Sequence, residues 1–142
     1  MNIKIVVATH KRYQMPEDTC YLPVQVGKYG KESLGYQGDD TGDNISDKNA
    51  YYCELTGIYY AWKNIPAEYL GLVHYRRYFK GKNKSKDPFA CIVTEPEMEK
   101  IFETHRIVVP KKRKYYIETL YSHYAHTHYA EHLDITRSII EE

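Results

Sequence analysis

The sequence predicts an α/β domain with a mostly parallel sheet flanked by helices, and three observations carry that prediction. Ile3 to Ala8 and Leu70 to His74 are short, nearly continuous apolar runs with polar residues at their ends, the pattern of strands covered on both faces. The stretch between them holds a helical period that stops at a proline. A capping box and a third short apolar run follow, so strands alternate with helices along the chain. At 142 residues the length fits one domain over residues 1–142. A chain of that size buries about 68% of its unfolded surface, enough for a sizeable core.

Ile3 to Ala8 reads as the first parallel strand, ending at the polar Thr9-His10-Lys11, and Tyr21 to Val26 as a second, shorter one. Gly27, Gly30, Gly35, Gly38 and Gly42 then interrupt any regular element until Ser46, which predicts a long loop, either functional or flexible. Ser46 or Asp47 can cap a helix running to about Asn64. Its Tyr52, Leu55, Tyr59 and Trp62 recur at helical spacing, and Ile65-Pro66 ends it. Leu70 to His74 is the next buried strand. Lys80 to Asp87, with four lysines and no apolar residue, is a solvated turn. Thr94 and Glu97 form a capping box for a helix through about Thr104, and Arg106 to Val109 is a strand candidate before Pro110. From Ile117 the pattern is helical with a break near Leu133-Asp134, where Asp134 can cap a last helix that meets no stop signal before Glu142. Ligands on parallel sheets gather at the carboxyl ends of strands, which places Thr9 to Lys11 and His74 to Arg77 on one rim.

Twenty basic and 19 acidic side chains give a net charge of +1, so no global field drives the chain onto nucleic acid or an anionic membrane. Cys20, Cys53 and Cys91 are odd in number, far apart and without CxxC spacing, which argues against a disulfide framework or a zinc site and fits free thiols in a cytoplasmic setting. The apolar run Ile5 to Ala8 is too short for a signal segment. No run of about 18 apolar residues exists, so membrane contact is expected to be peripheral at most; a cytoplasmic location, with the inner face of the membrane as the place of any such contact, is the accompanying expectation.

The chemistry concentrates between Gly38 and Phe79. Asp39, Asp40, Asp43 and Asn44 offer acceptors suited to ribose hydroxyls or a base N–H, and Ser46 and Asn49 sit where a helix N-terminus opens to anions. His74, Arg76 and Arg77 offer donors, the arginines through planar forks that stay charged at any working pH. Acceptors and donors together suit a nucleotide-sugar. Tyr75 and Tyr78 alternate with the arginines and are candidates to stack on its base or sugar. Residue by residue, blander roles compete: an Asx-turn loop for the aspartates, surface ion pairs for the arginines, ring packing for the tyrosines and a solvated lysine for Lys11. In an extended strand Arg76 and Arg77 would point to opposite faces, which leaves open the one that serves the site. Glu54 is either a group that orients a cation or an exposed helix carboxylate. His123, His126, His128 and His132 read as a solvated helix face, since no Cys or paired carboxylate completes a metal set. Lys111-Lys112-Arg113-Lys114 forms the densest positive cluster.

Six ordered blocks also carry a resemblance: IKIVVATHK (Ile3 to Lys11), DDTGDNISDKN (Asp39 to Asn49), YCELTGIYYAWKN (Tyr52 to Asn64), GLVHYRRYF (Gly71 to Phe79), IVVPKKRKYYIETLY (Ile107 to Tyr121) and LDITRSIIEE (Leu133 to Glu142). In these the chain resembles a bacterial family of capsular and exopolysaccharide biosynthesis proteins, long labelled a domain of unknown function and regarded as glycosyltransferases of the GT-A type. The resemblance implies a GT-A-like, Rossmann-like sheet, of which this chain is an N-terminal portion truncated at its C-terminus. It implies transfer of a sugar from a nucleoside-diphosphate donor, a UDP-sugar first, to a glycan acceptor, with no nucleic-acid partner. Thr9, His10 and Lys11 would then receive the nucleotide. Many GT-A enzymes bind a divalent ion through Asp-x-Asp, a motif absent from this sequence, and GLVHYRR stands at about the corresponding place. The expectation is therefore a cofactor-free site in which arginines replace the metal. No catalytic base is nominated. The rival expectations are a non-catalytic nucleotide- or glycan-binding fragment and, further off, a nucleic-acid-binding module using KGKNKSK and KKRK, whose affinity would fall steeply with salt.

Overall fold

In the computed structural model, which describes residues 1–142, the β-branched run near the N-terminus forms β1 (Ile3–Thr9), the strand on which the sheet is built. It lies between β2 (Tyr21–Gln25) and β4 (Tyr69–His74), with β3 (Gln37–Gly38) outside β2. The order is β3-β2-β1-β4, and every pairing of these strands is parallel, in line with the mostly parallel sheet the sequence predicts. Alternation along β1 explains its composition. Ile3, Ile5 and Val7 face a cluster with Cys20, Tyr21, Val73, Tyr75 and Met98, while Val6 and Ala8 face Val24, Val26, Tyr60 and Ala61. From Ile5 to Ala8 both faces of the strand are thus dry, and a polar side chain there would be buried without a partner.

The predicted helix from Ser46 to Asn64 is broken. A 3-10 turn over Ser46–Lys48 leads into the single turn α1 (Asn49–Tyr52), and α2 (Leu55–Asn64) follows after Cys53, whose φ of 48° and ψ of −129° interrupt the helical path. The helix also packs the opposite way from its aromatic stripe. Thr56, Gly57, Tyr60 and Ala61 are the buried residues of α2, whereas Tyr52, Leu55 and Trp62 are each about half exposed or more. Gly57 explains the choice of face: a Cβ built there would stand 2.7 Å from Val26 Cγ1, so the absence of a side chain lets the helix sit directly on the sheet. Helical spacing fixes a period and leaves the buried phase open.

The capping box forms as expected. Glu97 accepts the Thr94 N–H at 2.9 Å, Pro96 sits in the first turn, and α3 (Glu95–Phe102) buries Met98 in the core. Lys82 to Asp87 are exposed, in keeping with a solvated turn. Arg106 to Val109 is a correction, because it forms no strand: Ile107 and Val109 are 78% and 72% exposed, and Val108 alone of the apolar three packs against the core. Without a partner strand a short β-branched run has no ladder to join.

The chain divides into two compact units, Met1–Val108 and Val109–Glu142. The second holds α4 (Leu120–Thr127) and α5 (Glu131–Glu141). Thr119 caps α4 reciprocally with Ser122. The break between the helices falls at residues 128–130 rather than near Leu133, and Asp134 lies inside α5, where its carboxylate accepts the Tyr121 hydroxyl at 3.1 Å instead of capping. No helix is long and apolar enough to cross a membrane.

Candidate functional site

A parallel sheet sends all its carboxyl ends to one edge, and here that edge collects the residues nominated from sequence. β1 and β4 pair with Ala8 opposite His74, so Thr9-His10-Lys11 and Tyr75-Arg76-Arg77 leave the sheet side by side. The Tyr75 N–H donates to the Ala8 carbonyl at 3.2 Å, and the His10 ring lies 5.4 Å from the Tyr75 ring and 6.5 Å from that of His74. β2 ends next to them: the Val26 N–H donates to the Thr9 carbonyl. β3 ends at Gly38, immediately before Asp39 and Asp40.

Thr9 is fully buried and its hydroxyl is engaged with the Lys11 backbone, accepting its N–H at 3.2 Å and donating to its carbonyl at 2.5 Å. That turn presents His10 and Lys11 to solvent. On β4 the strand stops at His74, whose carbonyl accepts the Arg77 N–H at 2.8 Å. Arg76 and Arg77 therefore belong to a tight turn, both exposed, and the expectation of opposite strand faces does not apply. Tyr75 is 1% exposed. A ring so covered has no face for a base or sugar, which corrects the stacking role proposed for it. Tyr78 is half-buried with its hydroxyl covered and unpartnered, and burial pushes that phenol up to about 12.

His74 is the better-defined titratable group. Its Nδ1 accepts the Arg76 N–H at 3.3 Å, which leaves the proton of the neutral ring on Nε2, 3.9 Å from Glu54 Oε1. Burial lowers its pKa below 6.5; the Glu54 carboxylate opposes that, and Arg76, Arg77 and His10 add to it. His74 thus stands as a neutral N–H donor at the edge, with the positive charge supplied by Lys11, Arg76 and Arg77. Glu54, which the sequence leaves open between a cation-orienting group and an exposed helix carboxylate, is held there by the break at Cys53. No glycine or proline marks that break in the sequence.

The acidic loop has a different character from the one its composition suggests. Asp39 is completely buried and accepts four hydrogen bonds: from the Gly27 and Lys28 N–H groups at 2.9 and 3.0 Å, from Ser46 Oγ at 2.5 Å and from Thr56 Oγ1 at 2.6 Å. It ties β2, the loop and α2 together and has no lone pair to spare for a ligand. Ser46 is also buried, its Oγ accepting the Tyr29 N–H while donating to Asp39. Asn44 accepts the Ser46 N–H in an Asx turn. Asn49 donates to the Cys53 carbonyl and to Thr56 Oγ1. Asp43 accepts from Tyr59 Oη at 3.1 Å, and Asp40 pairs with Lys28 at 3.4 Å. Asp40 and Asp43 keep partly exposed carboxylates, so of the nominated loop residues these two retain capacity for a ligand.

No group of three His, Cys, Asp or Glu side chains is placed to hold a metal ion. In the second unit, His123 and His126 both meet Glu118 through Nδ1, at 2.6 and 3.0 Å, and hold its carboxyl below the usual range. Lys111 to Lys114 are exposed there.

The fold and edge define an α/β protein with a parallel sheet whose carboxyl ends carry cations and hydrogen-bond donors on one strand pair and carboxylates beside the other. The chain belongs to the family described as domain of unknown function (DUF4422), whose model matches residues 4–142. A comparison with curated proteins finds no match. Among solved structures the chain is similar to the apo structure of WbbM, a bifunctional glycosyltransferase, with 41% sequence identity and a TM-score of 0.54. That similarity covers 62% of this chain and 16% of the WbbM chain, so the present chain spans a small part of that protein's length.

Proposed function

We propose that the chain binds a nucleoside-diphosphate sugar, a UDP-sugar first, at the carboxyl edge of its sheet and serves the transfer of that sugar to a glycan acceptor in capsule or exopolysaccharide assembly. The observation that carries this reading is the convergence of Lys11, Arg76 and Arg77, with the N–H donors of His10 and His74, where β1 and β4 end side by side. A departing diphosphate accumulates negative charge, and prepositioned donors and cations at the site of that charge are the main requirement for such a transfer. The 41% identity to a bifunctional glycosyltransferase supports the same class of chemistry. Asp40 and Asp43 are the acceptors proposed for the nucleoside, and the cations take the role that a divalent ion plays elsewhere. Setting the reaction in the cytoplasm, with peripheral contact at the inner membrane face, belongs to the same reading.

A hydrolysis screen tests it. Purified protein incubated with a panel of UDP-sugars is expected to release UDP from one of them above the rate of a His74→Ala/Arg76→Ala variant. Equal, background-level release by both proteins across the panel would count against transfer by this chain and favour a module that binds nucleotide or glycan without turnover.

A further inference from the structure

Tyr75 cannot touch a ligand through its ring face, yet His10, Lys11, Tyr13 and Arg76 all meet its ring. Its backbone is anchored to the Ala8 carbonyl, and His10 and Tyr13 meet its ring nearly edge-on at 5.4 and 5.1 Å, which fixes the ring plane. On that fixed ring rest two cations from different strand ends, Lys11 Nζ at 5.6 Å and Arg76 Cζ at 5.1 Å from the centroid. Both lie within the range where a cation is drawn to the negative face of an aromatic ring. An exposed lysine or arginine otherwise samples many rotamers and loses that freedom when it grips an anion. A side chain already resting on a ring has lost part of it beforehand, which is the general route by which preorganisation raises affinity. Arg77 makes no such contact. The Tyr75 hydroxyl is buried without a hydrogen-bond partner, so the aromatic ring and not the phenol accounts for the arrangement.

We propose that Tyr75 is a positioning residue whose buried ring seats Lys11 and Arg76 as the cation pair that grips the phosphates of the donor, Arg76 being the arginine paired with Lys11. The identity of the anion rests on the donor reading above; the seating of the cations does not.

The two parts are measured separately. In labelled protein without ligand, the side-chain methylene protons of Lys11 and Arg76 are expected upfield of their free positions, shifted by the Tyr75 ring, and to stay there in Tyr75→Phe. Unshifted methylenes in the wild type would overturn the seat. Titration with inorganic pyrophosphate and with UDP is then expected to give equal affinity for wild type and Tyr75→Phe, and a roughly three- to tenfold loss in Tyr75→Leu. In the Tyr75→Leu background the effects of Lys11→Ala and Arg76→Ala shrink, whereas that of Arg77→Ala stays additive. Full additivity for all three, in proteins with native amide spectra, would overturn the positioning role. The wild-type and Tyr75→Phe measurements decide the seat even if Tyr75→Leu does not fold. Shifted methylenes in a protein that binds neither probe would overturn the donor reading together with the phosphate-gripping role.

Discussion

At the scale of single residues, the edge separates into groups that hold the fold and groups that remain free. Asp39 and Ser46 look, in sequence, like members of one acceptor cluster with Asp40, Asp43 and Asn44. The difference between them depends on donors supplied by Gly27, Lys28 and Thr56, 11 to 17 residues away, which no local pattern reveals. Thr9 is withdrawn for a local reason, its hydroxyl being spent on the turn to Lys11 two residues on. The donors on the β4 side were more legible, because charge on a short strand's end has few places to go except the carboxyl edge. His74 carries a testable consequence. Its folded pKa lies below the ordinary 6.5, so between the two values the unfolded chain binds more protons than the folded one. Stability is therefore expected to fall as the pH drops through about 6.5 and to level off below the folded pKa. Denaturant unfolding at steps from pH 7.5 to 5, compared between wild type and His74→Gln, reads this component as the difference between the two curves. Parallel curves would mean that the shift is absent.

At the scale of elements, β1, β4 and α3 were readable because their signals are self-contained: a continuous apolar run, or a Thr and a Glu three residues apart. β3 leaves no signal in the sequence since two residues carry no periodicity, and Arg106 to Val109 has the residues of a strand without the partner that a strand needs. The middle helix shows where periodicity stops being informative. Its aromatic stripe faces outward and its small residues face the sheet, a choice set by how closely α2 must approach Val6 and Val26. Two substitutions check this assignment by denaturant unfolding. Leu55→Gln, on the exposed stripe, is expected to change stability by less than about 0.5 kcal/mol, where a buried Leu would lose about 2 to 5 on truncation. Gly57→Ala is expected to cost about 1 to 3 kcal/mol through overpacking against Val26, despite the better helix propensity of alanine. A stabilised Gly57→Ala variant would show that the helix can shift outward freely.

At the scale of the whole molecule, one topological fact organises the rest: four parallel strands place every strand terminus that bears chemistry on the same edge. The cationic turn after β4 and the turn after β1 are remote in sequence and become neighbours through strand order alone, while the acidic loop after β3 leaves the same edge beyond β2. The break at Cys53 adds Glu54 to that edge. The second unit holds two helices, of which α4 is capped by Thr119, and its own His-Glu contacts. On the function proposed above, this edge binds a nucleoside diphosphate through its cations. Its most direct test is calorimetric titration of the purified protein with UDP, first in EDTA and then with manganese, beside an Arg76→Ala/Arg77→Ala variant shown to be folded. Binding is expected to survive EDTA and to be lost in the variant. Binding that requires manganese, or that the variant retains unchanged, would contradict it.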